Sequence, residues 1–502
     1  MNYFERHILE TLIYLPMLAA LVIMLLPRQR QDLVRQTAVL SSALLLLGSL
    51  YVFFAFDHSA GAAPFQMERA YPWMEQLGIS VRLAVDGIAV PMVLLTGIVA
   101  FTGAVISWRI DKENKNFFVL FFLLVAGVYG TFVSVDLFFF FFFYELAVVP
   151  MYLLIGVWGS SSTFPTFQRS KEYSAMKLTL YLVAGSVLVW VGIIAIYITA
   201  GADSFDIRVL QEAARSGALD GNFQRVIFPL IMIGFGALAG LWPFHTWSPD
   251  GHVAAPTAVS MLHAGVLMKL GAFGIIRVGL TILPSGAEDW ALVLFILATV
   301  NVLYGAFSAM GQQDLKYVIG YSSVSHMGYV LMGIATLEHL GVAGATLQMF
   351  SHGVMTALFF AVVGAIYDRA HVRDIGALNG LAKRMRWTSV FFVIAGLTSL
   401  GLPGTSGFIA EVLVFMCAFR TEPVLAILGV IGAGVTAVYI LRLIAKVFFG
   451  PMDKQWEHLP DLSKREGFAA AVLVVPILFV GVYPQPFLRI IDSGVALLLS
   501  GF

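Results

Sequence analysis

With 59% of its 502 residues hydrophobic and 12% charged, the chain lies far from the composition of a soluble domain, in which about a quarter of residues carry charge. Lys plus Arg and Asp plus Glu each number 30, so net charge names no partner; the single cysteine, Cys417, excludes internal disulfides, CxxC redox pairs, thiolate iron–sulfur sites and cysteine zinc sites. A polytopic membrane protein with no redox centre of its own is expected.

One span needs about 20 apolar residues. Fourteen such runs follow one another, near 8–27, 36–56, 84–108, 116–135, 137–158, 175–200, 224–245, 258–282, 288–310, 317–336, 339–367, 388–418, 422–449 and 467–498. The first run follows a short polar head and lacks a small-residue cleavage pattern, so it reads as span 1 and not as a leader. Asp136 marks a very tight turn between the fourth and fifth spans. Counted loop by loop, eighteen Lys and Arg residues (among them Arg169, Lys316 and Arg373) fall on one side and nine, including Arg277, on the other. By the positive-inside bias the richer side is cytoplasmic. Both termini are then predicted to be periplasmic, in an energy-transducing bacterial inner or plasma membrane.

Two interruptions match. Pro243 in LWPFHTW falls late in span 7, and Pro403 in GLPGTSGF falls in the middle of span 12. Proline removes a backbone donor and clashes with the preceding turn, so both helices are expected to break, and broken backbone in a membrane must line protein or water. Paired breaks in corresponding positions point to repeats with a site between them. An offset of five spans, an odd number, makes those repeats inverted.

Ionisable residues inside apolar spans are costly and mark function by default. Lys269 sits deep in span 8, with Gly265 and Ala272 on its helical face to let another helix approach. Glu145 lies nine residues past Asp136, about 13 Å along a helix and so near mid-membrane; a structural ion pair is the ordinary alternative. His326 shares a face with Ser322, Ser323 and Tyr329, and His352 with Gln348 and Thr356. Such polar stripes suggest a hydrated, proton-conducting interior, while a core histidine satisfied by hydroxyls is the plain alternative. Glu411 follows the second break by eight residues and is either part of the same row or a capping carboxylate. Lys177, near the cytoplasmic end of span 6, would serve equally well as a snorkelling residue.

The motifs VDGIAVPMVLLTG, FYELAVVPMYLLIG, WPFHTWSPDGHVAAPTA, VLMKLGAFGIIR, DLKYVIGYSSVSHMGY and GLPGTSGFIAEVLVF resemble, in order and spacing, the antiporter-like subunits of respiratory complex I. A glutamate at position 411 is similar to the M-type (chain 4) branch, where the L and N branches carry lysine. The resemblance implies an all-α membrane protein with inverted five-helix repeats, spans 4–8 and 9–13. Its regions would be 1–115, 116–282, 283–449 and 450–502. It implies proton translocation by a membrane-arm subunit beside L-like and N-like neighbours, with flavin, iron–sulfur clusters, NADH and quinone on partner subunits and no cofactor in this chain. Glu145, Lys269, His326, His352 and Glu411 would form the proton relay. Related readings are a multisubunit cation/proton antiporter, a membrane-bound hydrogenase arm, and a spacer that no longer pumps.

One departure matters. The family carries a lysine on helix 7, paired with the helix 5 glutamate, where this chain has Leu238. Lys177, on the adjacent span, is the expected substitute partner for Glu145.

Overall fold

The computed structural model describes residues 3–59, 61–163 and 168–499. Among them thirteen helices are long and apolar enough to cross a membrane, and two shorter helices meeting at a break make a fourteenth span. Spans 1 to 6 are Tyr3–Leu25, Gln31–Ala55, Ala89–Ile106, Asn114–Val133, Leu137–Trp158 and Lys171–Ala200. Span 7 is Gly221–Ala239 followed by the short helix Trp247–Ala254; span 8 is Thr257–Leu280. Spans 9, 10 and 11 are Pro284–Met310, Leu315–Ala335 and His339–Ala370; span 12 is Arg386–Ser399 with Ser406–Thr421; span 13 is Pro423–Phe448.

The run expected at 467–498 is two helices, span 14 (Lys464–Val482) and Gln485–Leu499. Tyr483, whose φ of −135° and ψ of 75° leave the helical region just before Pro484, separates them, as the clash of a proline ring with a helical preceding residue favours. The second helix buries Phe487, Ile490, Ile491, Gly494, Val495 and Leu498 along one face, and the Phe487 ring packs on Phe53 and Phe350. It is a packed amphipathic helix and not the end of a span. The outermost termini, residues 1–2 and 500–502, lie outside the described residues.

Spans 8 and 11 are buried along their whole apolar lengths and span 10 nearly so, whereas spans 2, 6, 13 and 14 leave most of theirs outside the buried interior. The exposed side chains there, Leu47, Leu180, Val424 and Val482 among them, suit lipid. The three spans that carry Lys269, His326 and His352 are therefore the most enclosed. A hairpin, β1 (Gln66–Met74) with β2 (Ile79–Val85), fills the connection between spans 2 and 3. Asp136 makes the expected tight turn by accepting from the amides of Phe138, Phe139 and Ser80, which also fastens the hairpin to span 5. Burial pushes its carboxyl up to about 6 despite those three donors.

Both breaks form. The first lies at Gly240, whose φ of +78° ends the helix, and Pro243 belongs to the turn that follows. Asn301 of span 9 occupies the gap. Its amide nitrogen donates to the Gly240 carbonyl at 2.8 Å, and its oxygen accepts from the Trp242 N–H. Backbone groups freed at membrane depth thus find a side-chain partner. The second break spans 400–405, with Gly401 at φ +69°.

Candidate functional site

The short helix after the first break carries Asp250, which is 1% exposed. Lys177 Nζ lies 2.9 Å from its Oδ2, Tyr317 donates to its Oδ1 at 3.0 Å, and Arg169 also pairs with Oδ1. Lys177 is therefore Asp250's partner and not the one expected for Glu145. It is the nearer choice because the broken helix folds this carboxylate back against span 6. The same helix ends against two buried cations. Lys316 donates to the Ala255 carbonyl at 3.0 Å, and Arg373 pairs with Asp314 at 3.1 Å while reaching the Val253 carbonyl. Arg169, Lys316 and Arg373, counted as loop charges, build the interior of the Lys/Arg-rich end, where cations suit a helix C-terminus.

Two histidines carry this cluster inward. His252 and His263 are fully buried with ring centroids 4.1 Å apart, and His252 Nε2 meets Ser248 Oγ at 3.0 Å. His263 lies on span 8, six residues before Lys269.

Span 8 widens into a π-helical turn at His263–Leu267, and Lys269 follows it. Such turns leave the backbone ladder irregular and often mark function. Lys269 Nζ bonds the Ala264 carbonyl and stands 2.7 Å from His352 Nδ1 of span 11. The approach depends on small residues: a Cβ on Gly353 would fall 2.6 Å from the Gly265 carbonyl oxygen. Sequence spacing had placed Gly265 on the lysine's face for this reason.

His352 stacks on His326 with centroids 5.3 Å apart and planes 13° from parallel. His326 is held from both sides, Nδ1 against the Ser322 carbonyl at 2.7 Å and Nε2 against the Ser399 carbonyl at 3.0 Å. A neutral imidazole has one N–H, so the two carbonyls together suit the imidazolium, while the Ser322 and Ser399 hydroxyls, each 3.4 Å from a ring nitrogen, offer a donor to the neutral ring. Ser399 is the last residue of the first half of span 12, so the negative pole of a half-helix points at the ring. Glu411 Oε1 is 3.9 Å from His326 Nε2, and a Cβ on Gly401 would fall 2.6 Å from Glu411 Oε2. The second break makes room for that carboxylate.

Lys269, His326, His352 and Glu411 thus form one buried row, and Glu145 stands apart. Its Oε1 is buried with no hydrogen-bond partner among the described residues, the Ser186 hydroxyl lies against its carboxyl, and Leu238 is fully buried. Arg277, assigned by spacing to a loop, is buried and grips Asp86 through two bonds of 2.7 and 2.8 Å. Asp250, His252, His263 and Asn301 were given no role from sequence. Each is a polar residue within or beside an apolar run, the signal that did single out Lys269.

A transmembrane family described as NADH:quinone oxidoreductase/Mrp antiporter matches residues 134–436. Over 505 residues the chain is 35% identical to NADH-quinone oxidoreductase subunit M of Rickettsia conorii, covering 99% of this chain and 100% of that one. The chain belongs to this family. NAD(P)H-quinone oxidoreductase chain 4 of a Synechococcus species is 36% identical, over 96% of this chain and 91% of its own length. Among solved structures, a chain of respiratory complex I from Thermus thermophilus with bound NADH superposes with a TM-score of 0.87 at 25% identity, covering 98% of this chain and 99% of that one. The Mrp complex of Dietzia shares the fold, with a TM-score of 0.84 at 20% identity over 99% of this chain and 98% of its own.

Proposed function

We propose that the chain is a proton-translocating membrane-arm subunit of an NADH:quinone oxidoreductase, and that its buried row carries the protons. The observation that carries this reading is the 2.7 Å contact between Lys269 Nζ and His352 Nδ1, inside a row that continues through His326 to Glu411. Each member can hold or release a proton, and each is nearly or wholly buried. Lysine gives its proton up readily when desolvated.

Moving one charge against 100 mV costs about 2.3 kcal/mol, so the work must come from subunits that oxidise NADH and reduce quinone. The coupling is electrostatic: a neighbour's charge reaches Glu145 on the outer face of spans 5 and 6. The Asp250, Lys177 and Arg169 cluster responds, and Lys269 then passes its proton to His352. A change of one pKa unit corresponds to about 1.4 kcal/mol. In this arrangement the cytoplasmic side is the Lys/Arg-rich one, both termini are periplasmic, L-like and N-like subunits flank the chain, and the redox cofactors sit elsewhere in the assembly.

The test is the assembled complex in proteoliposomes, with NADH oxidation and proton uptake measured together. Lys269→Ala is expected to abolish pumping-coupled turnover, and an unchanged proton-to-electron ratio would refute the relay. A second reading, a subunit that holds the membrane arm together without pumping, draws on Leu238 and on Glu145's lack of a cation. Retained pumping after replacing both Glu145 and Glu411 favours it.

A further inference from the structure

A cavity of about 440 Å³ opens on the Lys/Arg-rich face of the second repeat, away from the row just described. Its walls include Gln312 of the loop after span 9, Asp374 of the loop after span 11, and Arg442 and Lys446 at the end of span 13; Val318 and Tyr439 also line it. Six of the lining residues are polar or charged, which suits water. Tyr439 is 3% exposed although it faces this space, so only a small part of it meets solvent.

The Tyr439 hydroxyl points inward and donates to Ser322 Oγ at 2.8 Å, and Ser322 Oγ lies 3.4 Å from His326 Nδ1. Val318, Ser322 and His326 occupy one face of span 10 at intervals of four residues. Each step descends about 6 Å from the cavity floor. Nothing in the relay from Lys269 to Glu411 uses Tyr439, Ser322 or the cavity.

We infer that this cavity and the hydroxyls of Tyr439 and Ser322 form a cytoplasmic inlet that reloads His326 directly, without passage through Lys269. This rests on the reading of the buried row as a proton path. Hydronium in the cavity gives a proton to the Tyr439 oxygen, Tyr439 gives its own to Ser322 Oγ, and Ser322 gives its own to unprotonated His326 Nδ1. Hydronium becomes water, each hydroxyl keeps one proton, and the imidazole becomes the imidazolium that the Ser322 and Ser399 carbonyls hold. Rotation of the two O–H bonds resets the chain. Glu411, 3.9 Å beyond Nε2, receives the proton that leaves.

The test uses the intact complex in proteoliposomes, with internal pH and NADH oxidation followed together. Tyr439→Phe keeps the ring and removes the hydroxyl. It is expected to slow proton uptake about tenfold, below the 10²–10⁴ of a general acid–base group because water can partly replace a hydroxyl. It should also raise the solvent deuterium isotope effect on uptake, which a merely structural change would not do. Ser322→Ala should match it, Ser322→Thr should restore uptake, and the Tyr439→Phe/Ser322→Ala double variant should be no slower than either single one. Should Tyr439→Phe fail to assemble, Ser322→Ala decides alone. Wild-type uptake in both hydroxyl variants, with Lys269→Ala inactive, overturns the inlet and leaves the row standing. Full pumping in Lys269→Ala together with wild-type uptake in both hydroxyl variants overturns the row and the inlet with it.

Discussion

Lys269 and His352 meet through one 2.7 Å contact between Nζ and Nδ1, with no carboxylate among the described residues bonded to either. Only one proton fits between the two nitrogens, so the lysine donates to an imidazole whose Nδ1 is bare. The pair acts as a unit, and its substitutions should be non-additive. Lys269→Ala and His352→Ala are each expected to lower proton uptake by at least about tenfold, and the double variant little further. Lys269→Arg should be nearly as inactive as the alanine variant, because guanidinium does not surrender its proton. Additive losses, or a working arginine, would show that the contact is only structural.

Asp250 is a different kind of residue, one carboxylate shared by two cations and a tyrosine. Removing it leaves Lys177 and Arg169 facing each other with only partial access to water. Asp250→Ala should therefore destabilise the subunit by about 3–5 kcal/mol, as breaking a buried pair does. Lys177→Met, which leaves Arg169 to neutralise the carboxylate, should cost clearly less. Yield of assembled complex and its thermal unfolding midpoint measure the two, and equal midpoints would mean that Asp250 does not hold this end together.

Glu145 and Leu238 supply the third prediction. Among the described residues no cation is bonded to the carboxyl, so Glu145→Gln should leave the unfolding midpoint unchanged while lowering coupled turnover less than Lys269→Ala does. Leu238→Lys puts an ammonium into a fully buried position, the one at which the resemblance implied a lysine. With Glu145 present the new charge has a partner; once Glu145→Gln is added it is stranded. The Leu238→Lys/Glu145→Gln variant should thus be less stable than the sum of the single changes, by at least about 1 kcal/mol of coupling. Additivity in thermal unfolding would place the two side chains out of reach of each other.

Much of this was legible beforehand because bilayer physics is strict. Twenty apolar residues make a span, a bare lysine inside one has to face protein, and paired prolines mark broken helices; these rules found Lys269, His326, His352, Glu411 and both breaks. Partnerships were harder to read. Lys177 looked like a companion for Glu145 because the two spans are neighbours, yet the folded-back helix after Gly240 brings Asp250 from 73 residues away. Arg277 and Lys316 looked like loop charges because they lie near the ends of apolar runs. Asp86 and the carbonyls ending at Ala255, which bury them, are visible only in three dimensions. The split of the last run followed from Pro484, a signal present in the chain but outweighed by the length of apolar sequence around it.

Asn301 has a role that hydropathy does not reveal: it completes the backbone of the first break. Asn301→Leu keeps the volume and strands the Gly240 carbonyl and the Trp242 amide. Each unsatisfied buried group costs about 1–3 kcal/mol, so the variant should be several degrees less stable and poorly assembled. Asn301→Asp tests the detail, since it keeps the acceptor for Trp242 N–H and loses the donor to Gly240. It should fall between wild type and leucine, and a leucine variant as stable as wild type would remove Asn301 from the account of the break.

Asp461 yields a pH-dependent test outside the membrane. It caps the first half of span 12 from a distant loop, accepting from the amides of Trp387 at 2.8 Å and Thr388 at 3.1 Å and from the Thr388 hydroxyl at 2.8 Å. Burial opposes its ionisation, but the donors of Trp387, Thr388 and Leu462 outweigh that and hold the carboxyl below the usual range. A carboxyl depressed in the folded state adds stability above its unfolded pKa of about 3.9, and that stability is lost as pH falls through the folded value. Asp461→Ala should therefore cost about 1 kcal/mol near neutral pH, in line with other helix caps. Its difference from wild type should shrink only below about pH 4. Amide exchange at Trp387 and Thr388 reads the neutral-pH loss directly, and denaturant unfolding at several pH values reads the rest. A gap between the two proteins that keeps its full size well below pH 4 would mean that the ionised carboxylate is not what fastens this helix to the loop.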